Sequence, residues 1–254
     1  MRTALPILFS VLMLHSAGSP LFATHPLITD DTATQGTGRT QLEIDGQRDY
    51  RHRGGVRETT VQLQPLVSHG IRETVDLIAG VPYASQKTDE SGETVRENGI
   101  SDLMLQLKWR FYEKDNVSFA LRPGVTLPTG DDRGGFGAGK VTYNLFFIMT
   151  RRLEPWAFHL NIAYYLNENT QDERRGIWHI SLASEYGATE KLRVVANAGI
   201  EKERDPGSHD NPAFVLGGLI YALTNNVDID VGYKYGLTSS EVQSSVLAGV
   251  TWRF

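Results

Sequence analysis

Beyond Arg39 the chain alternates apolar and polar residues almost without a break. Leu42 and Ile44 interleave with Gln41, Glu43 and Asp45, and Val61, Leu63, Pro65 and Val67 interleave with Gln62, Gln64 and Ser68. A period of two puts successive side chains on opposite faces, so each such run predicts a strand with two unlike sides. The pattern recurs from Val75 to Tyr83, Leu103 to Phe111, Val117 to Leu127 and Val141 to Met149. In the second half it runs from Trp156 to Tyr164, Trp178 to Tyr186, Leu192 to Ile200, Val215 to Leu223, Val227 to Tyr235 and Val242 to Phe254. These are about twelve strands of roughly ten residues, longer than the usual five or six of globular sheets and long enough, when tilted, to cross a bilayer.

The connections alternate in length. Short ones fall near His69–Glu73, Glu113–Asn116, Arg151–Glu154, Gly187–Glu190 and Thr224–Asn226. Longer polar ones are expected at Arg48–Arg57, Ser85–Gly99, Pro128–Lys140, Asn167–Gly176, Lys202–Asn211 and Gly236–Glu241. Short turns at one rim and long loops at the other predict an all-β fold, a transmembrane antiparallel up-and-down β-barrel with both termini on the periplasmic side.

Alternation alone also fits a soluble β-sandwich. Three features favour lipid. Aromatics of the apolar parity gather at strand ends: Trp109, Phe111, Trp156, Tyr186, Tyr221, Trp252 and Phe254 near the short turns, and Trp178 and Tyr235 with Tyr83, Tyr143 and Tyr164 near the long loops. Such girdles belong at water–lipid interfaces, whereas a sandwich core places large rings centrally. The apolar parity of these spans carries no charge, as expected where an Arg or Lys at mid-depth costs about 2–4 kcal/mol. The chain also ends on Phe254, with Val246, Ala248, Val250 and Trp252 on its face, which resembles the assembly signal of bacterial outer-membrane proteins. Outer-membrane lipid and the assembly machinery are therefore expected partners, and a monomer the expected state. Closure into a ring follows because lipid offers no partner to an unpaired backbone N–H.

Composition narrows the class further. Arg2 precedes an uncharged, mostly apolar stretch from Thr3 to Phe22, with a cleavage point after the small residue Ala23 and a second one open after Gly18. Residues 1–23 read as a secretory signal peptide, 24–38 as a periplasmic segment or a plug folded into the lumen, and 39–254 as the barrel. The chain has no cysteine, so export adds no disulfide. A net charge of −5 gives no reason to expect nucleic acid.

The stretch GGFGAGK, residues 134–140, matches the first part of a phosphate-binding loop through Gly134, Gly139 and Lys140. Val141 stands where a Mg²⁺-binding Ser or Thr is needed, and a strand rather than a helix follows. It reads as a hairpin loop whose glycines supply positive φ.

The candidate pore-lining residues are Asp102, Lys108, Arg110, Arg122, His159, His179, Asp228, Asp230 and Lys234, all on inward parity. Two readings stand for the charges: a selective polar pathway, or paired charges filling a lumen much narrower than a porin's. His159 and His179, with Ser181 nearby, read as lumen histidines; a hydrolase would need a nucleophile, a base and an orienting group within hydrogen-bond reach. His25, His52 and His209 are scattered singly, so no metal site, cofactor or catalytic residue is expected.

The segment His25 to Glu43, HPLITDDTATQGTGRTQLE, resembles the N-terminal signature of the outer-membrane transporter family named for the MetA pathway of phenol degradation. LPTGD at Leu127 to Asp131, with the glycine-rich loop after it, is similar to that family's mid-barrel motif. The resemblance implies an outer-membrane barrel passing small, often apolar or aromatic compounds. The leading expectation is thus a passive channel, set against an outer-membrane hydrolase of lipase or protease type and a structural or adhesive barrel acting through its loops.

Overall fold

A computed structural model describes residues 25–132 and 134–254. The signal peptide expected at 1–23 lies outside the described residues. Fourteen strands form one antiparallel sheet: β1 (Thr40–Arg53), β2 (Val56–Arg72), β3 (Val75–Gly80), β4 (Tyr83–Glu90), β5 (Glu93–Ile100), β6 (Leu103–Lys114), β7 (Val117–Leu127), β8 (Thr142–Leu153), β9 (Trp156–Leu166), β10 (Gly176–Gly187), β11 (Leu192–Glu201), β12 (Ala213–Ala222), β13 (Val227–Gly236) and β14 (Ser244–Arg253). The sheet closes on itself because β1 pairs with both β14, Leu42 opposite Trp252, and β2, Leu42 opposite Val67.

Fourteen elements make twelve barrel strands. β3 and β4 both pair with β2 and form one strand interrupted at Val81 and Pro82. β5 and β6 likewise form one strand interrupted at Ser101 and Asp102. Pro82 has no N–H to give the ladder, so a break there is the expected response.

Two long loops expected from the sequence are strands instead. Arg48–Arg57 is the tip of the β1–β2 hairpin, turned at Gly54 and Gly55 with φ of 59° and 86°, and Ser85–Gly99 is the β4–β5 hairpin, turned at Ser91 and Gly92 with φ of 51° and 89°. Two consecutive positive φ values make the tight turn that matches strand twist. Both hairpins project past the other strands with polar residues on each face, so no alternation betrays them.

The outward face is apolar along its length, with Leu182, Tyr164, Val246 and Tyr233 each more than half exposed. Rings meet at the short-turn rim, where Trp156 lies 4.7 Å from Tyr186 and Trp252 4.8 Å from Phe254. A bulge between Arg110 and Tyr112 turns both Phe111 and Tyr112 outward, extending the girdle by one ring. Trp109, Tyr221 and Tyr235 are exposed on the same face, and Trp178 sits beside Tyr164 in register.

Candidate lumen site

The interior is filled first by the chain's own N-terminal segment. From β1 at the short-turn rim, residues His25–Gly38 run inside the ring and are held by side chains of most barrel strands. Gly38 N–H donates to the Gly70 carbonyl at 2.7 Å, and a Cβ at Gly70 would overlap the Gly36 carbonyl, so only glycine admits the segment there. Gln35 N–H reaches both oxygens of Asp76 at 3.0 and 3.1 Å, and Thr32 bonds Ser118 and Thr150. Asp30 is the most heavily tied residue. Its carboxylate takes Arg122 at 2.6 Å and Lys108 at 3.0 Å, and its backbone exchanges bonds of 2.8 Å with the Asn161 amide. Asp31 adds a second contact to Lys108 at 3.3 Å.

Further along, Ile28 N–H donates to Asn197, and Leu27 packs on Phe214, Leu216 and Leu247. Pro26 sits where a Cβ at Gly218 or Gly232, partners across β12 and β13, would come within 2.7 Å of its ring. His25 ends the described segment with Nδ1 at 2.6 Å from Asp230 and 4.0 Å from Asp45. At the rim, Glu73 accepts from Thr37, which holds its carboxyl below the usual Glu range.

Beneath the segment lies a closed charge network. Arg193 bridges Glu185 at 2.9 Å and Asp228 at 3.1 Å, Arg253 joins Asp228 at 3.0 Å, and His159 faces Glu185 at 3.4 Å. His159 and Glu185 are fully buried. His159 Nδ1 is engaged by Thr150 Oγ1 at 3.0 Å and Nε2 faces Glu185 at 3.4 Å. Among the described residues no hydrogen bond joins Ser181 to His159, and the imidazole is buried.

Along the other wall runs a cavity of about 730 Å³. Its lining extends from Phe136, Asn169 and Gln171 at the long-loop rim, past Gln64, Asp45 and Gln106, to Gln41, Ser68 and Asp76 at the short-turn rim. Residues 25–31 form one side, and β1, β2, β3 and β6 with parts of β7 and β8 the other. The barrel side carries amides, Gln62, Gln64, Gln106 and Asn144, next to an apolar patch of Leu66, Ile78 and Met104. Gly80 pairs with Leu66 on one side and Met104 on the other, which brings this patch together. Phe146, with Arg122 stacked at 4.2 Å and Tyr165 edge-on at 5.5 Å, stands opposite.

Of the nine residues that parity marks as inward, Asp102, Lys108, Arg122 and His179 line this cavity. The other five lie elsewhere. Arg110 stays at the rim with Glu73 and Glu113, His159 and Asp228 belong to the charge network, Asp230 holds His25, and Lys234 pairs with Glu241 at 3.1 Å near the long loops. Asp102 faces the cavity but acts as a clasp, accepting the N–H groups of Gly130 at 2.9 Å and Ala138 at 2.7 Å. The loop that imitates a phosphate cradle therefore turns its amides on its own chain, Ala138 on Asp102, Gly134 on the Asp131 carboxylate and Phe136 and Gly137 on the Asp131 carbonyl, and runs straight into β8. Parity overlooks the lining amides, whose only signal is a recurrence of Gln on the polar side of adjacent strands.

A comparison with family models matches residues 28–254 to the family described as "Putative MetA-pathway of phenol degradation". No curated protein matches the chain. Among solved structures, the chain is similar to the COG4313 outer-membrane channel from Pseudomonas putida F1, with a TM-score of 0.70 and 14% identity over 88% of this chain and 98% of that one. It is also similar to the beta domain of the Bordetella autotransporter BrkA, with a TM-score of 0.55 and 14% identity over 86% and 100%, and to the NanC porin, with 0.52 and 11% over 83% and 98%. Such likeness shows the fold, an outer-membrane β-barrel, which both channels and translocators use. With the family model spanning nearly all the described residues, the chain belongs to the MetA-pathway phenol-degradation family of outer-membrane barrels.

Proposed function

We propose that this protein is a passive outer-membrane channel, exported and acting as a monomer, that lets small molecules cross along the wall formed by β1, β2, β3 and β6. The observation that carries the reading is the cavity itself: a single water-accessible space whose lining residues reach from one rim to the other beside the N-terminal segment. No cofactor or covalent step enters; flux follows the concentration difference.

The lining supports a solute with an apolar body and one or two polar groups. Leu66, Ile78, Met104 and Phe136 offer apolar contact, while Gln64, Gln106 and Asn144 offer hydrogen bonds without a fixed charge. The constriction is set by the N-terminal segment, since Asp30, Asp31 and Lys108 pack against one another within the lining.

Liposome swelling on the refolded mature barrel tests this. Small phenols and alcohols should enter faster than sugars of similar size, and a barrel that admits no small solute would refute the channel. A hydrolase finds no support in the arrangement around His159 described above.

A further inference from the structure

The outer mouth of the cavity is roofed by loop rather than strand. Among the described residues β5 pairs with β4 alone, and no strand meets its other edge. The stretch Gly134–Ala138 lies there instead. Its last residue is held on both sides, the Ala138 N–H by Asp102 at the β5–β6 junction and the Ala138 carbonyl by the Thr170 N–H of the β9–β10 connection at 2.9 Å. Phe136 covers Gly99 so closely that a Cβ built at Gly99 would sit 2.6 Å from the ring and 3.3 Å from the Phe136 Cβ. Gly135–Ala138 also line the cavity, so the stretch stands between solvent and the lumen.

We infer that Gly134–Ala138 is a lid over the outer mouth, latched by the Asp102 carboxylate and by Phe136 seated on Gly99, and that solute passes when the latch releases. This rests on the channel reading above and adds its gate. The attachments suit that role. The bond from the Ala138 N–H to the buried Asp102 carboxylate is strong and directional yet single, and one ring over a bare glycine gives a contact with no side chain to interlock. Gly135 and Gly139, with φ of 77° and 69°, lie within and just beyond the stretch and re-orient without a Cβ clash.

Because the chain has no cysteine, Gly99→Cys with Phe136→Cys gives a single thiol pair at nearly the Cβ separation of a disulfide, roughly 3.5–4.5 Å. Single-channel conductance is recorded in planar bilayers before and after reduction, with wild type as control. The lid predicts a several-fold lower conductance when oxidised, restored by dithiothreitol, and no response in wild type. Equal conductance in both redox states, with wild type conducting, overturns the lid alone; a wild type that never conducts overturns the channel reading and the lid with it. If the double variant does not assemble, Asp102→Ala serves: conductance or open time should rise several-fold, and an unchanged trace overturns the proposal.

Discussion

At the scale of single residues, Asp30 decides whether the lumen is obstructed. It is the shared counter-ion of Lys108 and Arg122, and Lys108 has almost no access to solvent. Removing one member of a buried ion pair costs about 3–5 kcal/mol if the geometry stays fixed, because the partner is left desolvated; here Lys108 would keep Asp31 at 3.3 Å, whereas Arg122 would lose its carboxylate. The segment has a cheaper response, which is to leave the wall so that water reaches both cations. Asp30→Ala should therefore make the N-terminal segment accessible to protease in the assembled barrel and raise its conductance, both read on purified protein. An N-terminus as protected as wild type, with unchanged current, would show that Asp30 does not hold the constriction. Asp30 and Asp31 were visible in the sequence only as acids in an aperiodic stretch. Their role depends on Lys108 and Arg122, 78 and 92 residues away, and no local pattern carries such a pairing.

At the scale of elements, what the sequence made legible was whatever lipid enforces. Hydrocarbon requires every second residue of a strand to be apolar, so the spans, the turns between β6 and β7 or β12 and β13, and the aromatic girdles could be read directly. Above the rim that demand lapses, which is why the β1–β2 and β4–β5 hairpins passed for loops. Inside the ring, alternation marks which residues face inward but not which meet water: Asp102 and Asp230 share a parity, and one closes a loop while the other holds His25. The glycines at 70, 218 and 232 likewise mark where the segment presses on the wall, yet from sequence alone they are only gaps in a pattern. The lipid reading makes its own demand on β10. Leu182→Arg, at a central outward position, should destabilise the barrel by about 2–4 kcal/mol in equilibrium unfolding from vesicles. A neutral substitution there would mean that the outward face of β10 does not meet hydrocarbon.

At the scale of the whole molecule, the barrel divides its interior between support and passage. The charge network of Glu185, Arg193, Asp228 and Arg253 ties β10, β11, β13 and β14 together, and the N-terminal segment runs through the interior. What stays open is the strip along β1, β2, β3 and β6, where amides and a small apolar patch lie beside the ion pairs of Lys108 and Arg122 with Asp30. A channel built this way is narrow and off-centre, with one constriction near Asp30 and a roof near Phe136. The most direct test exploits the cysteine-free chain by placing one thiol at Gln64, facing the strip, and in a separate variant one at the neighbouring Leu63, facing outward. During bilayer recording, a bulky thiol-reactive reagent added to the Gln64→Cys channel should reduce the current in a clear step, and the Leu63→Cys channel should be unaffected. Equal responses from the two positions, or no current from either, would contradict a pathway along this wall.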